Sequence, residues 1–239
     1  LGFDFSMEFE DFRSVLFELA RKNAPKTDIY IRPFIFSNDE FLPPRLPGLT
    51  FQLAIYMMGF DVYFPHDKGL RMMVSSWRKV PDNVISTKAK AGGAYLNSAL
   101  ATTDAIKAGY DEALVCDESG CIAEAAVANM IMMYRGVAMV PSLGSPLLEG
   151  ITMRTALDFL REEGMEPHVE RIDRSMVYTC DELMLTGTAA QVIFANSVDG
   201  RVIGDGTQGP VAKMLRQKFQ DVLNKQHPRH AEWVEELKL

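Results

Sequence analysis

The sequence predicts a mixed α/β fold built more from antiparallel hairpins than from β-α-β units. Three observations carry this. Short apolar runs suited to strands recur along the chain; turn signals such as Asp117-Glu118-Ser119-Gly120, Arg135-Gly136 and Asp199-Gly200 join them in pairs; four amphipathic segments interrupt them. At 239 residues the chain holds one large core or two modest ones. The expected division is a small α/β domain over 1–55, a connector over 56–68 and a larger mixed domain over 69–239.

In chain order, MEFEDFRSVLFELARK places Phe9, Phe12, Leu16 and Leu19 at helical spacing. DIYIRPFIF reads as a strand, and Pro33 makes it an interrupted or edge strand. FLPPRLPGL is proline-rich loop, and from Met57 to Asp67 the pattern weakens into a connector. RMMVSSW and NVISTKAK read as strands. NSALATTDAIKAG is a helix, with Asn97 or Ser98 as N-cap and Gly109 just past its end. EALVC and CIAEA form a hairpin around DESG, and NMIMMY and VAMVP two more strands. GITMRTALDFLREEG is a helix entered at Gly150 and closed at Gly164. ELMLTGTAAQVIFANSVDGRVIG gives strands broken at Gly187 and Asp199-Gly200. Pro210 opens a last helix, with Val211, Met214, Leu215, Phe219 and Val222 on one stripe.

Composition narrows the function. With 47% hydrophobic and 24% charged residues this is ordinary globular protein, and a net charge of −7 argues against a nucleic-acid or anionic-membrane surface. Apolar runs such as AAVANMIMMY are too short to span a bilayer. The opening LGFDFSMEFEDF lacks a basic stretch of the secretory kind, so a cytoplasmic location is expected. Cys116, Cys121 and Cys180, odd in number and without a C-x-x-C pair, read as free thiols of a reducing compartment. No metal site is expected: DESG is a turn rather than a ligand loop, and His66, His168, His227 and His230 fall in loop or tail contexts.

Four features bear on chemistry. Lys90 lies in KAKAGGAY; in an extended STKAK segment Lys88 and Lys90 share a face, so geometry does not choose between them. Either is a solvated lysine or an amine that forms a Schiff base. Gly150-Ile151-Thr152 opens a helix, whose free N–H groups make an anion site, unless Thr152 is simply a cap. Thr186-Gly187-Thr188-Ala189-Ala190 ends an apolar strand in small residues, either a bulge or a place for close ligand approach. Glu124 stands among Ile122, Ala123, Ala125 and Ala126, where a carboxylate needs a partner or its pKa rises. None is specific alone.

Their order together is specific. Lys90-Ala-Gly-Gly-x-Tyr95, Glu124-x-x-x-x-Asn129, Leu148-x-Gly150-Ile151-Thr152-x-Arg154, Thr186-Gly187-Thr188-Ala189-Ala190 and late Gly209-Pro210, with Tyr30-Ile31-Arg32-Pro33 upstream, resemble the class IV, fold-type IV pyridoxal-phosphate aminotransferases, and most closely the branched-chain amino acid group. The resemblance covers nearly the whole chain.

It implies pyridoxal 5′-phosphate as cofactor, with Lys90 rather than Lys88 as the Schiff-base lysine and catalytic base. Tyr95 would bond the cofactor's phenolic oxygen, Glu124 the ring nitrogen, and Leu148 would pack on the ring; Asn129 and the Gly150, Ile151, Thr152, Gly187 and Thr188 segments complete the cofactor site. Tyr30, Arg32, Thr188, Ala189 and Ala190 would receive the substrate's carboxylates. It implies transamination between an L-amino acid, branched-chain or otherwise apolar, and 2-oxoglutarate, with amino and 2-oxo acids as small-molecule partners and a homodimer or higher homo-oligomer as the assembly. Sister activities of the same fold are a D-amino acid or (R)-amine transaminase and an aminodeoxychorismate lyase; an inactive remnant is the reading from outside catalysis. Departures touch specificity: Ala94 replaces the usual Asn, SNDEFLPPRLPGLT lacks a glycine-rich turn, and Asp61 falls where the group has a tyrosine. The resemblance also implies a further N-terminal stretch, with an arginine on the phosphate, so the small domain is expected to be truncated here.

Overall fold

A computed structural model of the chain describes residues 1–60, 64, 68–142 and 144–237. Two compact units make it up: Leu1–Tyr63 with Glu235–Leu239, and Phe64–Val234. The first unit therefore extends past residue 55 and takes in the C-terminal end.

In the first unit, helix α1 (Phe9–Asn23) precedes a two-stranded antiparallel sheet of β1 (Ile29–Ser37) and β2 (Phe51–Gly59). The helix forms where its spacing predicts, but its stripe is only half-buried and Phe9 is exposed. Among the described residues β1 pairs with β2 alone, so Pro33, opposite Ile55, stands on an edge strand, where proline is tolerated. Residues 56–59, expected as connector, belong to β2, because pairing with β1 persists to Gly59. The rest of that connector, with Asp61 and His66, lies largely outside the described residues.

The second unit is a ten-stranded mixed sheet. Its strands are β3 (Leu70–Arg78), β4 (Glu112–Cys116), β5 (Cys121–Ala125), β6 (Asn129–Tyr134), β7 (Val137–Pro141), β8 (His168–Glu170), β9 (Ile172–Asp173), β10 (Glu182–Gly187), β11 (Gln191–Val198) and β12 (Arg201–Val202). Their spatial order is β8-β7-β6-β10-β11-β3-β4-β5-β9, with β12 on β11. Hairpins dominate, as the turn signals predict; the parallel pairs are β3 with β11 and with β4, and β7 with β8. β3 reaches β4 through helix α2 (Tyr95–Lys107), a β-α-β unit of this sheet.

Alternation divides the core by face. Met130, Met132, Leu183 and Leu185 join Met72, Val74 and Leu114 on one side. Ile131, Met133, Met184 and Val192 pack against helix α3 (Ile151–Glu162), through Ala156, Phe159 and Leu160, and helix α4 (Pro210–Leu223), through Ala212, Leu215 and Val222. Ala101 and Ala105 of α2 cover Ala113 and Val115. Gly209-Pro210 has a structural reason: buried Glu182 accepts the N–H groups of Val211 (3.0 Å) and Ala212 (2.8 Å), capping α4 with a carboxylate. A side chain at position 209 would collide with Glu182.

Two local expectations fail. NVISTKAK is a series of turns, because Asp82 Oδ1 accepts both the N–H (2.8 Å) and the hydroxyl (2.9 Å) of Thr87 and so withdraws the backbone from any ladder. Helix α2 starts at Tyr95, led in by a 3₁₀ turn over Gly92–Ala94, and Asn97 donates to Arg78 O (3.0 Å) instead of capping.

Candidate active site

The connection from β3 to α2 carries Lys79, Lys88, Lys90 and Tyr95, so the carboxyl end of a parallel strand supplies the cationic side of the site, where α/β sheets commonly bind ligands. Since STKAK is not extended, Lys88 and Lys90 part company. Lys90 Nζ lies 2.8 Å from the Tyr95 hydroxyl, while Lys88 Nζ reaches Leu147 O at 3.3 Å. Lys90 and Tyr95 are exposed in this chain.

The acidic side is buried. Glu124, near the end of β5 and 5% exposed, pairs in register with Val115. Its Oε2 accepts from Asn129 Nδ2 (2.9 Å) and Leu148 N (3.3 Å), and its Oε1 meets Lys79 Nζ at 2.5 Å. Burial pushes the Glu124 carboxyl above the usual carboxylate range; Lys79 is the strongest opposing influence, followed by the Leu148 amide and Lys90. Lys90 thus acts on Glu124 through space, so the two belong to one electrostatic neighbourhood.

Asn129 ties the rest together. Its amide donates to Glu124 and to Leu148 O (2.7 Å), and its Oδ1 occupies the space a side chain at Gly150 would need. Gly150 is therefore fixed as glycine by close approach. It is also the N-cap of α3, which has no side-chain cap, so Thr152, buried, does not cap the helix. Ile151 is 71% exposed, and the first amides of an α-helix have no partner within the helix. Thr186 pairs with Asn129 across β10 and β6; its hydroxyl is buried without a hydrogen-bond partner among the described residues. Gly187 follows, next to Ala128, and Thr188–Ala190 form the tip of the β10–β11 hairpin.

The predicted residues thus fall into three groups. Lys90 with Tyr95, and Glu124 with Asn129, Leu148 and Gly150, are brought together; Ile151, Thr152, Gly187, Thr188, Ala189 and Ala190 continue from them along α3 and β10. Tyr30, half-buried, and Arg32, exposed, stand on β1 of the first unit. Lys79 is the residue sequence reasoning missed, since nothing in SSWRKV marks a lysine that will meet a carboxylate 45 positions on.

The amino-transferase class IV family model matches residues 1–198, and the chain belongs to that family. It is similar to a probable branched-chain-amino-acid aminotransferase of Aquifex aeolicus, 39% identical over 226 residues that cover 94% of this chain and 73% of the relative. The branched-chain-amino-acid aminotransferase of Pseudomonas aeruginosa is 37% identical, over 85% of this chain and 67% of that protein. Two solved structures overlay on 99% of the chain and 78% of their own: the branched-chain aminotransferase of Thermoproteus uzoniensis with norvaline (TM-score 0.94, 30% identity) and that of Thermobaculum terrenum in its PLP form (0.93, 26%). The fold is that of the fold-type IV aminotransferases. Among the described residues no helix is long and apolar enough to cross a membrane.

Proposed function

We propose that this chain is a pyridoxal-phosphate-dependent aminotransferase that passes the amino group of a branched-chain or other apolar L-amino acid to 2-oxoglutarate. The observation that carries it is the placing of the Lys90 amine and the buried Glu124 carboxylate in one neighbourhood, each with its own hydrogen-bonding partners. The residues fit the cofactor. An amine suits its aldehyde, a carboxylate with a lone pair to spare suits its ring nitrogen, and the start of α3, without a side-chain cap, suits its phosphate.

When bound, pyridoxal phosphate supplies an aldehyde carbon and an electron-accepting ring. The chain's residues do the rest. Lys90 Nζ would hold the cofactor's aldehyde carbon and carry a proton at the substrate's α-carbon. The Tyr95 hydroxyl positions that nitrogen from 2.8 Å. Glu124 would face the ring nitrogen. The Ile151 and Thr152 amides, with Thr188, would hold the phosphate, and Leu148, fixed at both its N–H and C=O, would pack on the ring. The Thr188 and Ala189 amides, with Ala190, would receive the substrate.

Solved relatives hold norvaline, 4-methylvaleric acid and N-(5′-phosphopyridoxyl)-L-glutamate, which supports two substrates of this kind, one apolar and one acidic. The exposed Leu96 and Leu100 of α2 support a second copy as partner, hence a homodimer, and the names of the relatives support a cytoplasmic enzyme of branched-chain amino acid metabolism. The test is the visible spectrum of the protein with pyridoxal phosphate, before and after adding L-leucine, L-glutamate, D-alanine or an (R)-amine. L-leucine and L-glutamate are expected to bleach it; bleaching by D-alanine or the amine alone would assign the chain to a sister activity.

A further inference from the structure

Glu124 is held from both sides of β4. Lys79, just past β3, donates its own N–H to Cys116 O (2.8 Å) of β4, while Glu124 pairs with Val115 from the opposite edge. β3 and β5 are second neighbours, about 10 Å apart at the ~4.8 Å strand spacing. A lysine stem and a glutamate together span that gap, and their head groups meet at 2.5 Å with side chains 16% and 6% exposed. Two cations act on this carboxylate, Lys79 in contact and Lys90 at longer range; Asn129 and the Leu148 amide supply neutral donors to the other oxygen.

We propose that Lys79 is a positioning residue that holds Glu124 anionic and in place, so that a proton shared between Glu124 and the bound ring nitrogen rests on the nitrogen. This builds on the pyridoxal-phosphate reading and adds a residue to it. A buried carboxylate without a cation in contact prefers to carry the proton itself. Lys79 opposes that preference from the far side, through contact with Oε1. An ion pair serving stability alone would not need to meet the carboxylate whose other oxygen orders the start of α3.

The test begins without cofactor. In protein labelled with ¹³C at glutamate carboxyls, and with the Glu124 signal assigned by its loss in Glu124→Gln, Lys79→Met is expected to raise the Glu124 titration midpoint by at least about one pH unit, a tenfold loss of acidity, and Lys79→Arg to restore it. With cofactor and saturating L-glutamate, Lys79→Met is expected to slow the first half-reaction at least about tenfold, Lys79→Arg to stay within about threefold, and Lys79→Met in a Glu124→Gln background to change the rate less than about twofold. If Lys79→Met does not fold, Lys79→Gln, neutral yet able to bond Oε1, takes its place. An unmoved midpoint, or an equal loss in the Glu124→Gln background, overturns the proposal. Failure of the wild-type protein to take up pyridoxal phosphate would instead overturn the reading beneath it, and the titration would still decide on Lys79.

Discussion

Lys90 and Glu124 carry opposite charges in one site, and the chain holds them in opposite ways. Lys90 follows a run of turns, is exposed, and has the Tyr95 hydroxyl at 2.8 Å as its partner; beside it, side chains at Gly92 and Gly93 would meet nothing within 4 Å. Glu124 sits in a strand, is 5% exposed and is engaged by Lys79, Asn129 and Leu148. The contrast suits the tasks proposed for them. An amine that is covalently engaged, displaced and then used to carry a proton needs rotamer freedom, about 1.5–2 kcal/mol of which is lost when a lysine is frozen. A carboxylate that sets the charge of a ring must stay where it is, and burial with three donors ensures this.

The largest expected effect tests the mobile end. Lys90→Ala should reduce transamination to background and abolish the visible absorbance of bound pyridoxal phosphate, whereas Lys88→Ala should retain both. A reversed result would exchange the roles that the resemblance assigns to these neighbours. Next, Glu124→Gln should lower turnover about 10²-fold, the scale of a lost charged contact in a preorganised site, with cofactor affinity changed less than about tenfold. Steady-state rates and a cofactor titration measure the split, and equal effects on both would make Glu124 a binding group rather than an electronic one.

The smallest effect sharpens the contrast with a second buried carboxylate. Glu112, also in the sheet and fully buried, is opposed by the amides of Ala113 and Ala126 rather than by a cation, and burial pushes its pKa up to about 7. Unfolded, it titrates near the ordinary value of about 4.3. Between these values the folded chain keeps a proton the unfolded chain releases, so this contribution to stability is full below about pH 4.3 and lost as pH rises through about 7. Glu112→Gln has no such proton. Its stability relative to wild type, read from urea midpoints, should improve by about 1–3 kcal/mol between pH 5 and pH 8. A constant difference would mean that Glu112 is ionised throughout.

Much of the fold was legible because its signals are local. The DESG turn pins itself, Asp117 Oδ1 accepting from Ser119 Oγ (2.7 Å) and Cys121 N (2.9 Å), and Pro210 marks α4 as plainly as Gly150 and Gly164 bracket α3. NVISTKAK misled because Val84, Ile85 and Thr87 favour strands by type, while one aspartate side chain, Asp82, decides the backbone. The site residues were legible by motif order, but their partners were not. Lys79 meets Glu124 across an intervening strand, and Asn129 joins β5, β6 and α3 through one amide. Such meetings are set by sheet order, which no local pattern encodes. His227 likewise read as a tail residue, yet it packs on Phe159 and Trp233 (ring centroids 5.4 and 5.8 Å) and reaches Glu162 at 3.2 Å.

The position of β3 between β4 and β11 carries a consequence for how the molecule comes into being. Val74 N donates to Asp199 Oδ1, 125 residues further on, and β11 is the parallel neighbour of the strand that leads to Lys79. During synthesis the ribosome must release the chain through about residue 200 before this strand acquires its second flank. Non-local parallel pairing of this sort is slow, so a nascent chain arrested before that length should hold its lysines and Glu124 in an unfinished sheet, competent in sequence but not yet in geometry.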